Sequence, residues 1–407
     1  MADSSWSMAK TNTISGREQT AEGGHGSISV VHLFLSFLRL GLTAFGGPTM
    51  VAYIGDLSVK KNRWLDQETF RNGVALCQSI PGATAMQVAA YVGLKARGLS
   101  GAAATYTGFG LPAFFFMLLL SWAYIRLGNL PWVLSLFHGL QVIVVAIVAN
   151  ATFTFGKETV RNYLDAAIAA ASAAAFWYGI NPFYVILGAG LCGMTIFRVS
   201  QANNPGAGRE VNRQSVGRFF ILLAVVISGM VLLCLANRKL FNLALLMMKI
   251  DLFAFGGGFA SIPLMLQEVV NVRGWMDGKT FMDGIALGQV TPGPIVITAT
   301  FVGFLTYGFA GAAIATIAIF TPSFVLLILG SHIFTKLQRS TPFNRAVKGV
   351  LASFVGLLLF VTIRFALAVP WDILRLVIVT AAVAALLKKI DILYIVLAGA
   401  LFSIFLL

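Results

Sequence analysis

Between Gly349 and Val369 the chain is apolar except for Ser353, Thr362 and a single charge, Arg364. A stretch of about 18 or more such residues is long enough to cross a bilayer as a helix. A second example, Phe219 to Ala236, is flanked by Arg218 and Arg238. Charged residues make up only 11% of the chain, against roughly 25% in a soluble domain. A water-facing surface cannot be built from so few. The sequence therefore reads as an all-α polytopic membrane protein. The net charge of +14 would suggest nucleic acid in a soluble chain. Here most basic residues lie in short segments between apolar runs, where they set orientation, so no nucleic-acid partner is expected and the bilayer is the surrounding medium.

Thirteen hydrophobic elements can be traced, at about 30–55, 69–93, 101–125, 131–156, 163–179, 182–198, 219–236, 241–266, 281–304, 309–334, 349–369, 372–387 and 390–407. Residues 1–29 are polar and rich in Ser, Thr and Gly, without an apolar core, and read as a disordered cytoplasmic tail rather than a signal peptide. The polar stretch 199–217, with Asn203, Asn204, Pro205, Gly206 and Gly208, begins a linker. The expected organisation is a tail (1–29), an N-terminal repeat (30–198), a linker with one transmembrane helix (199–239) and a C-terminal repeat (240–407). Cys77, Cys192 and Cys234 are too widely spaced for a disulfide framework or a metal site.

The halves repeat. Phe45-Gly46-Gly47 recurs as Phe255-Gly256-Gly257, an offset of 210. Trp64, Phe70, Gln78, Pro81 and Gly82 recur as Trp275, Phe281, Gln289, Pro292 and Gly293, an offset of 211. The offset returns to 210 at Gly93/Gly303, Pro112/Pro322 and Gly139/Gly349, so one insertion accounts for every slip. Chance matches among apolar residues do not bring Gly, Pro, Trp and Gln back in order. Six elements per half plus one linking span place the second half upside down relative to the first. With the N-terminus cytoplasmic, most of the 29 basic residues fall inside, as the positive-inside rule requires. The segment Lys60, Lys61, Arg63, Arg71 falls outside if 69–93 spans the membrane, and changes side if that element is re-entrant.

Two motifs interrupt helices at membrane depth, once in each half. One is Phe45-Gly46-Gly47-Pro48, matched by Phe255-Gly256-Gly257-Gly258. The other is Gln78-Ser79-Ile80-Pro81-Gly82, matched by Gln289-Val290-Thr291-Pro292-Gly293-Pro294. Broken backbone is tolerated in a membrane only inside protein or along a wet cavity. Paired interruptions in inverted halves are the pattern of a secondary transporter's site, where helix ends present N–H groups to an anion. Arg39 and Lys249 each lie six residues before their glycine break. They suit an anion site with one cation from each half, or snorkel to the interface. Asp251 can neutralise Lys249 or act as a coupling carboxylate. Glu268 is a second coupling candidate, although acids at Glu68, Glu268, Asp277 and Asp283 read first as solvated charges. Gln78 and Gln289 can donate to an oxyanion or cap a broken end. No catalytic set, metal-ligand spacing or cofactor motif is present, so neither an enzyme nor a cofactor is expected.

The segment Arg39-Leu-Gly-Leu-Thr-Ala-Phe-Gly-Gly-Pro48, with Gln78-Ser-Ile-Pro-Gly82 continuing to Gln87, closely resembles the signatures of the chromate ion transporter family. The segments Phe253 to Gly258 and Gly288 to Pro294 resemble that family's duplicated domain. The resemblance covers about residues 30–407. It implies a long-chain, two-domain member that exports chromate across the cytoplasmic membrane of a bacterium or archaeon and confers chromate resistance. Sulfate is implied as a competitor or relative substrate. Export by this reading runs on the membrane potential alone or as a proton antiporter. A passive anion channel and a transporter of another oxyanion such as sulfate are the alternatives. A homodimer is the expected assembly.

Overall fold

The computed structural model describes residues 28–45, 49–128, 130–197, 213–338 and 340–406. Most of the expected tail and the start of the linker lie outside the described residues. All regular structure among the described residues is helical. The first half contains α1 (Val30–Thr43), α2 (Thr49–Gly55, continued by a wider π-helical segment, Asp56–Lys61), α3 (Gln67–Ser79), α4 (Thr84–Leu127), α5 (Pro131–Thr159), α6 (Tyr163–Trp177) and α7 (Pro182–Ile196). The linking helix is α8 (Arg213–Ala236). The second half contains α9 (Arg238–Phe253), α10 (Ser261–Met265, continued by the π-helical segment Leu266–Val272), α11 (Gly278–Val290), α12 (Thr298–Gln338), α13 (Thr341–Ala368), α14 (Ile373–Leu387) and α15 (Ile392–Leu406). Segments of α4, α5, α12 and α13 are long and apolar enough to cross a membrane.

Both glycine and proline motifs turn the chain back instead of passing it on. Trp64, beyond the π-helical segment, packs against His32 and Phe37 of α1, so α1 and the α2 segment form a hairpin that returns to its starting side. The α3 and α4 segments do the same around Pro81-Gly82: Gly73 packs on the Tyr91 ring. The Arg97 guanidinium then bonds the Ile28 carbonyl at the start of α1. At Arg97-Gly98, where Gly98 has φ 64, α4 reverses again. A Cβ on Gly93 or Gly101 would run into the other's carbonyl, so the two arms pack backbone to backbone. Tyr307-Gly308, Gly303 and Gly311 repeat this arrangement in α12.

The elements at 30–55 and 69–93, and their counterparts at 241–266 and 281–304, are therefore re-entrant hairpins of short arms. Their arms fold back on each other and return the chain to the side it came from. Each half loses two crossings, so the parity is unchanged. Arg63 and its basic neighbours sit on the same side as the start of α1, not opposite it.

An approximate two-fold relates the halves. Thr152 of α5 meets Thr362 of α13, its own equivalent, at 2.9 Å. Four residues further along α5, Gly156 faces Val355, which lies earlier in α13. Equivalent helices thus run antiparallel, and the axis is perpendicular to them: the repeats are inverted. The halves also interlock. Gly139 of α5 packs on Ser403 of α15, and Gly349 of α13 packs on Gly193 of α7, so each half's long helix is held by the other half's last helix.

Candidate functional site: the crossing of the broken helices

The four breaks meet near the centre through a reciprocal exchange. Gly82 N–H donates to the Ala254 carbonyl at 2.9 Å, and Gly293 N–H donates to the Ala44 carbonyl at 3.1 Å. Ala44 and Ala254 end the first helix of each half. Each Pro-Gly turn is therefore bonded to the glycine break of the opposite half. Gly82 has φ +111 and Gly293 has φ +119, a region open mainly to glycine. The two turn amides serve this crossing and are not free for a ligand.

The donors left over are the first turns of the helices that restart after each break. Such N–H groups have no intrahelical partner. Ala83 before α4, Gly257 before the 3-10 turn Gly258–Ala260, and Pro294 before the 3-10 turn Ile295–Ile297 provide no side-chain cap. These starts lie together: the Gly257 Cα direction points at Thr84 Oγ1, and that of Gly258 at Ile295 and Val296. Gly256, Gly257 and Thr84 keep solvent access. Three positive helix ends, contributed by both halves, lie side by side; solvent reaches the Gly257 and Thr84 side, while the Ile295 start is buried.

Of the other sequence candidates, Gly46, Gly47 and Pro48 lie outside the described residues. The Phe45 carbonyl accepts from Thr49 Oγ1 at 3.0 Å, and Phe255 N–H bonds the Phe253 carbonyl at 2.9 Å. Pro81, Pro292 and Pro294 are buried. The Thr291 hydroxyl donates back to the Gly288 carbonyl, which occupies its hydrogen. Gln78 is exposed at the end of α3, whereas Gln289 has a buried side-chain nitrogen without a hydrogen-bond partner. Gln87 Nε2 closes the first turn by donating to the Pro81 carbonyl at 2.6 Å.

The cations stand apart from the crossing. Arg39 is exposed on α1 and forms no ion pair among the described residues. Lys249 does not pair with Asp251. Its Nζ lies 3.3 Å from Glu268 Oε1 and 3.6 Å from the centre of the Phe183 ring. Residues two apart on a helix point to opposite sides, and the hairpin brings Glu268 to the Lys249 side. Glu268, buried and also bound by Arg273, is a structural anchor here rather than a solvated charge. Lys249 and Arg273 line an open cleft of about 550 Å³ with Lys239, Asn242, Trp275 and Tyr307.

Asp251 points the other way, into the crossing, and is fully buried. Its Oδ2 accepts from Ser323 N–H at 2.7 Å and Ser323 Oγ at 2.6 Å. Ser323 Oγ in turn accepts from Ala83 N–H at 3.3 Å. Sequence reasoning missed Ser323, although a polar residue next to a repeated proline (Pro322) in an apolar run was a usable signal. It also read Asp283 as a solvated charge. Asp283 is buried, and accepts from Gln141 Nε2 at 2.8 Å and Tyr124 OH at 2.9 Å, tying α11 to α4 and α5.

Inverted repeats, re-entrant broken helices and a central cluster of helix N-termini are the architecture of a polytopic membrane transporter. The chromate transporter family model matches residues 31–194 and again residues 241–404. An uncharacterized transporter of Methanocaldococcus jannaschii is 46% identical over 91% of this chain and 92% of its own. Chromate transport proteins of Cupriavidus metallidurans and Pseudomonas aeruginosa are each 30% identical, over 88% and 86% of this chain and 87% and 84% of theirs. The chain belongs to the chromate transporter family, in its long form with two repeats. No solved structure matches it.

Proposed function

We propose that this protein exports chromate across the cytoplasmic membrane and so confers chromate resistance, with sulfate competing for the same site. The observation that carries this reading is the convergence of uncapped helix starts at Thr84, Gly257–Gly258 and Ile295 from both halves. A tetrahedral dianion offers oxygens in several directions, and N–H groups arriving from separate helices can meet them without a bulky counter-charge. Arg39 and Lys249, set back from the crossing, act on the approach rather than as ligands.

The repeats 30–198 and 240–407 serve as the two moving parts around the linker 199–239, and the site opens alternately to each side. The N-terminus is cytoplasmic in this scheme, which puts Lys60, Lys61, Arg63, Arg71, Lys95 and Arg97 on the positive-inside face. With a negative interior, expelling a dianion is favoured by roughly 4–5 kcal/mol per 100 mV. The potential is then a sufficient driving force. The test is uptake of radiolabelled chromate into everted vesicles. Saturable, potential-dependent uptake that sulfate inhibits is expected; well-folded protein without uptake would overturn the assignment.

A further inference from the structure

The centre of the molecule is symmetric in backbone but not in chemistry. By the offset of 210, Asp251 and Ser323 correspond to Gly41 and Ala113. In the first half a Cβ on Gly41 would run into the Phe109 carbonyl, so helices pack there backbone to backbone. In the second half the same place holds a carboxylate. Its Oδ2 is held by Ser323, while its Oδ1 is buried without a hydrogen-bond partner and lies against Gly82. None of the ion pairs among the described residues includes Asp251. Lys249, on the same helix, is engaged by Glu268. On α4, the Tyr106 hydroxyl donates to the Phe320 carbonyl. On α12, Ser323 offers only neutral donors.

An ionised carboxylate buried without a cation is expensive. It is more so when a dianion arrives at the start of α4, two residues beyond the Gly82 that Oδ1 touches. A proton on Oδ1, drawn from water, removes that repulsion. We propose that Asp251 takes up one proton as the oxyanion binds, so that proton and anion cross together and each cycle moves one net negative charge. Because Gly41 and Ala113 carry no titratable group, the first half supplies no counterpart, and the proposal is for one proton per anion. The inference rests on the anion site proposed above.

The experiment is calorimetric titration of the full-length protein with sodium sulfate and with chromate, in buffers of different ionisation heat. At pH values where Asp251 is ionised in the free protein, the wild type is expected to bind the anion with about one proton taken up. Its affinity should fall about tenfold per pH unit once Asp251 is ionised in the free protein. Asp251→Asn should bind with no proton uptake and without that pH dependence. Ser323→Ala, which keeps the carboxylate but removes the Oγ donor, should move the proton-uptake profile to higher pH. If Asp251→Asn does not fold, the wild type and Ser323→Ala decide. Anion binding without proton uptake, or uptake undiminished in Asp251→Asn, overturns this inference and leaves the anion site standing. A folded wild type that binds neither anion overturns the site itself, and the inference falls with it.

Discussion

Replacing Gly82 by alanine probes the crossing at its tightest point. At φ +111 an L-residue is strained by about 1–3 kcal/mol. The added Cβ would overlap Ser323 Oγ and stand 2.9 Å from Asp251 Oδ1 and 3.0 Å from Ser323 Cβ. To make room, the serine hydroxyl must leave. That breaks the bonds from Ala83 N–H and to Asp251 Oδ2, at about 1–3 kcal/mol for buried partners left unsatisfied. Gly82→Ala should thus cost about 2–6 kcal/mol in denaturant-dependent unfolding in detergent and abolish chromate flux in proteoliposomes. The double variant Gly82→Ala/Ser323→Ala removes the overlapping oxygen and should recover part of the loss, since only the strain and the tight Cβ contact remain. Gly188→Ala, where a Cβ would meet nothing within 4 Å, is the control and should behave as wild type. If Gly82→Ala lies within 0.5 kcal/mol of wild type, roughly the range of a surface substitution, the reciprocal bonding at the centre is refuted.

Single cysteines at Arg63 and Arg97 should label with an impermeant maleimide from the same side as a cysteine at Val30. A cysteine at Trp275 or Tyr307 should label from the other. Any other distribution would contradict the hairpins. Glu268→Ala removes the acid shared by Lys249 and Arg273 and should destabilise by roughly 1–3 kcal/mol, below the figure for a fully buried pair because both cations keep solvent contact. Charge-neutral Arg39→Gln and Lys249→Gln should lower the rate of chromate capture at low salt, by about threefold or more, while saturating flux changes little. Kinetics at two ionic strengths check this, and a loss of saturating flux with unchanged capture would place the cations in the site itself.

The repeat, the helical class and the positions of the breaks were legible because Gly, Pro, Trp and Gln recur in order at 210–211 residues. What the breaks do was not. An apolar run with Pro81-Gly82 in its middle reads the same whether the chain continues across the membrane or turns back. The information that decides it is the remote packing of Trp64 on Phe37 and of Gly93 on Gly101. Of the two readings left open for Asp251, neutralisation of Lys249 could have been set aside from helix geometry alone, since neighbours two apart diverge. The actual partner of Lys249, Glu268, needed the hairpin. Asp283 was misread because its partners, Gln141 and Tyr124, are 142 and 159 residues away. Nothing local distinguishes a buried acid on the inner face of a re-entrant helix from one at its mouth. The exchange of N–H groups between halves at Gly82 and Gly293 involves only backbone, so no side chain announced it.

The central claim is that the oxyanion rests among the helix starts where the halves cross. Crystals of the protein soaked in chromate and measured at the chromium absorption edge test it directly. The account predicts an anomalous peak within hydrogen-bonding reach of the first-turn amides following Ala83, Gly257 and Pro294. A peak confined to the cleft of Lys239, Lys249 and Arg273, in protein shown to transport chromate, would contradict it.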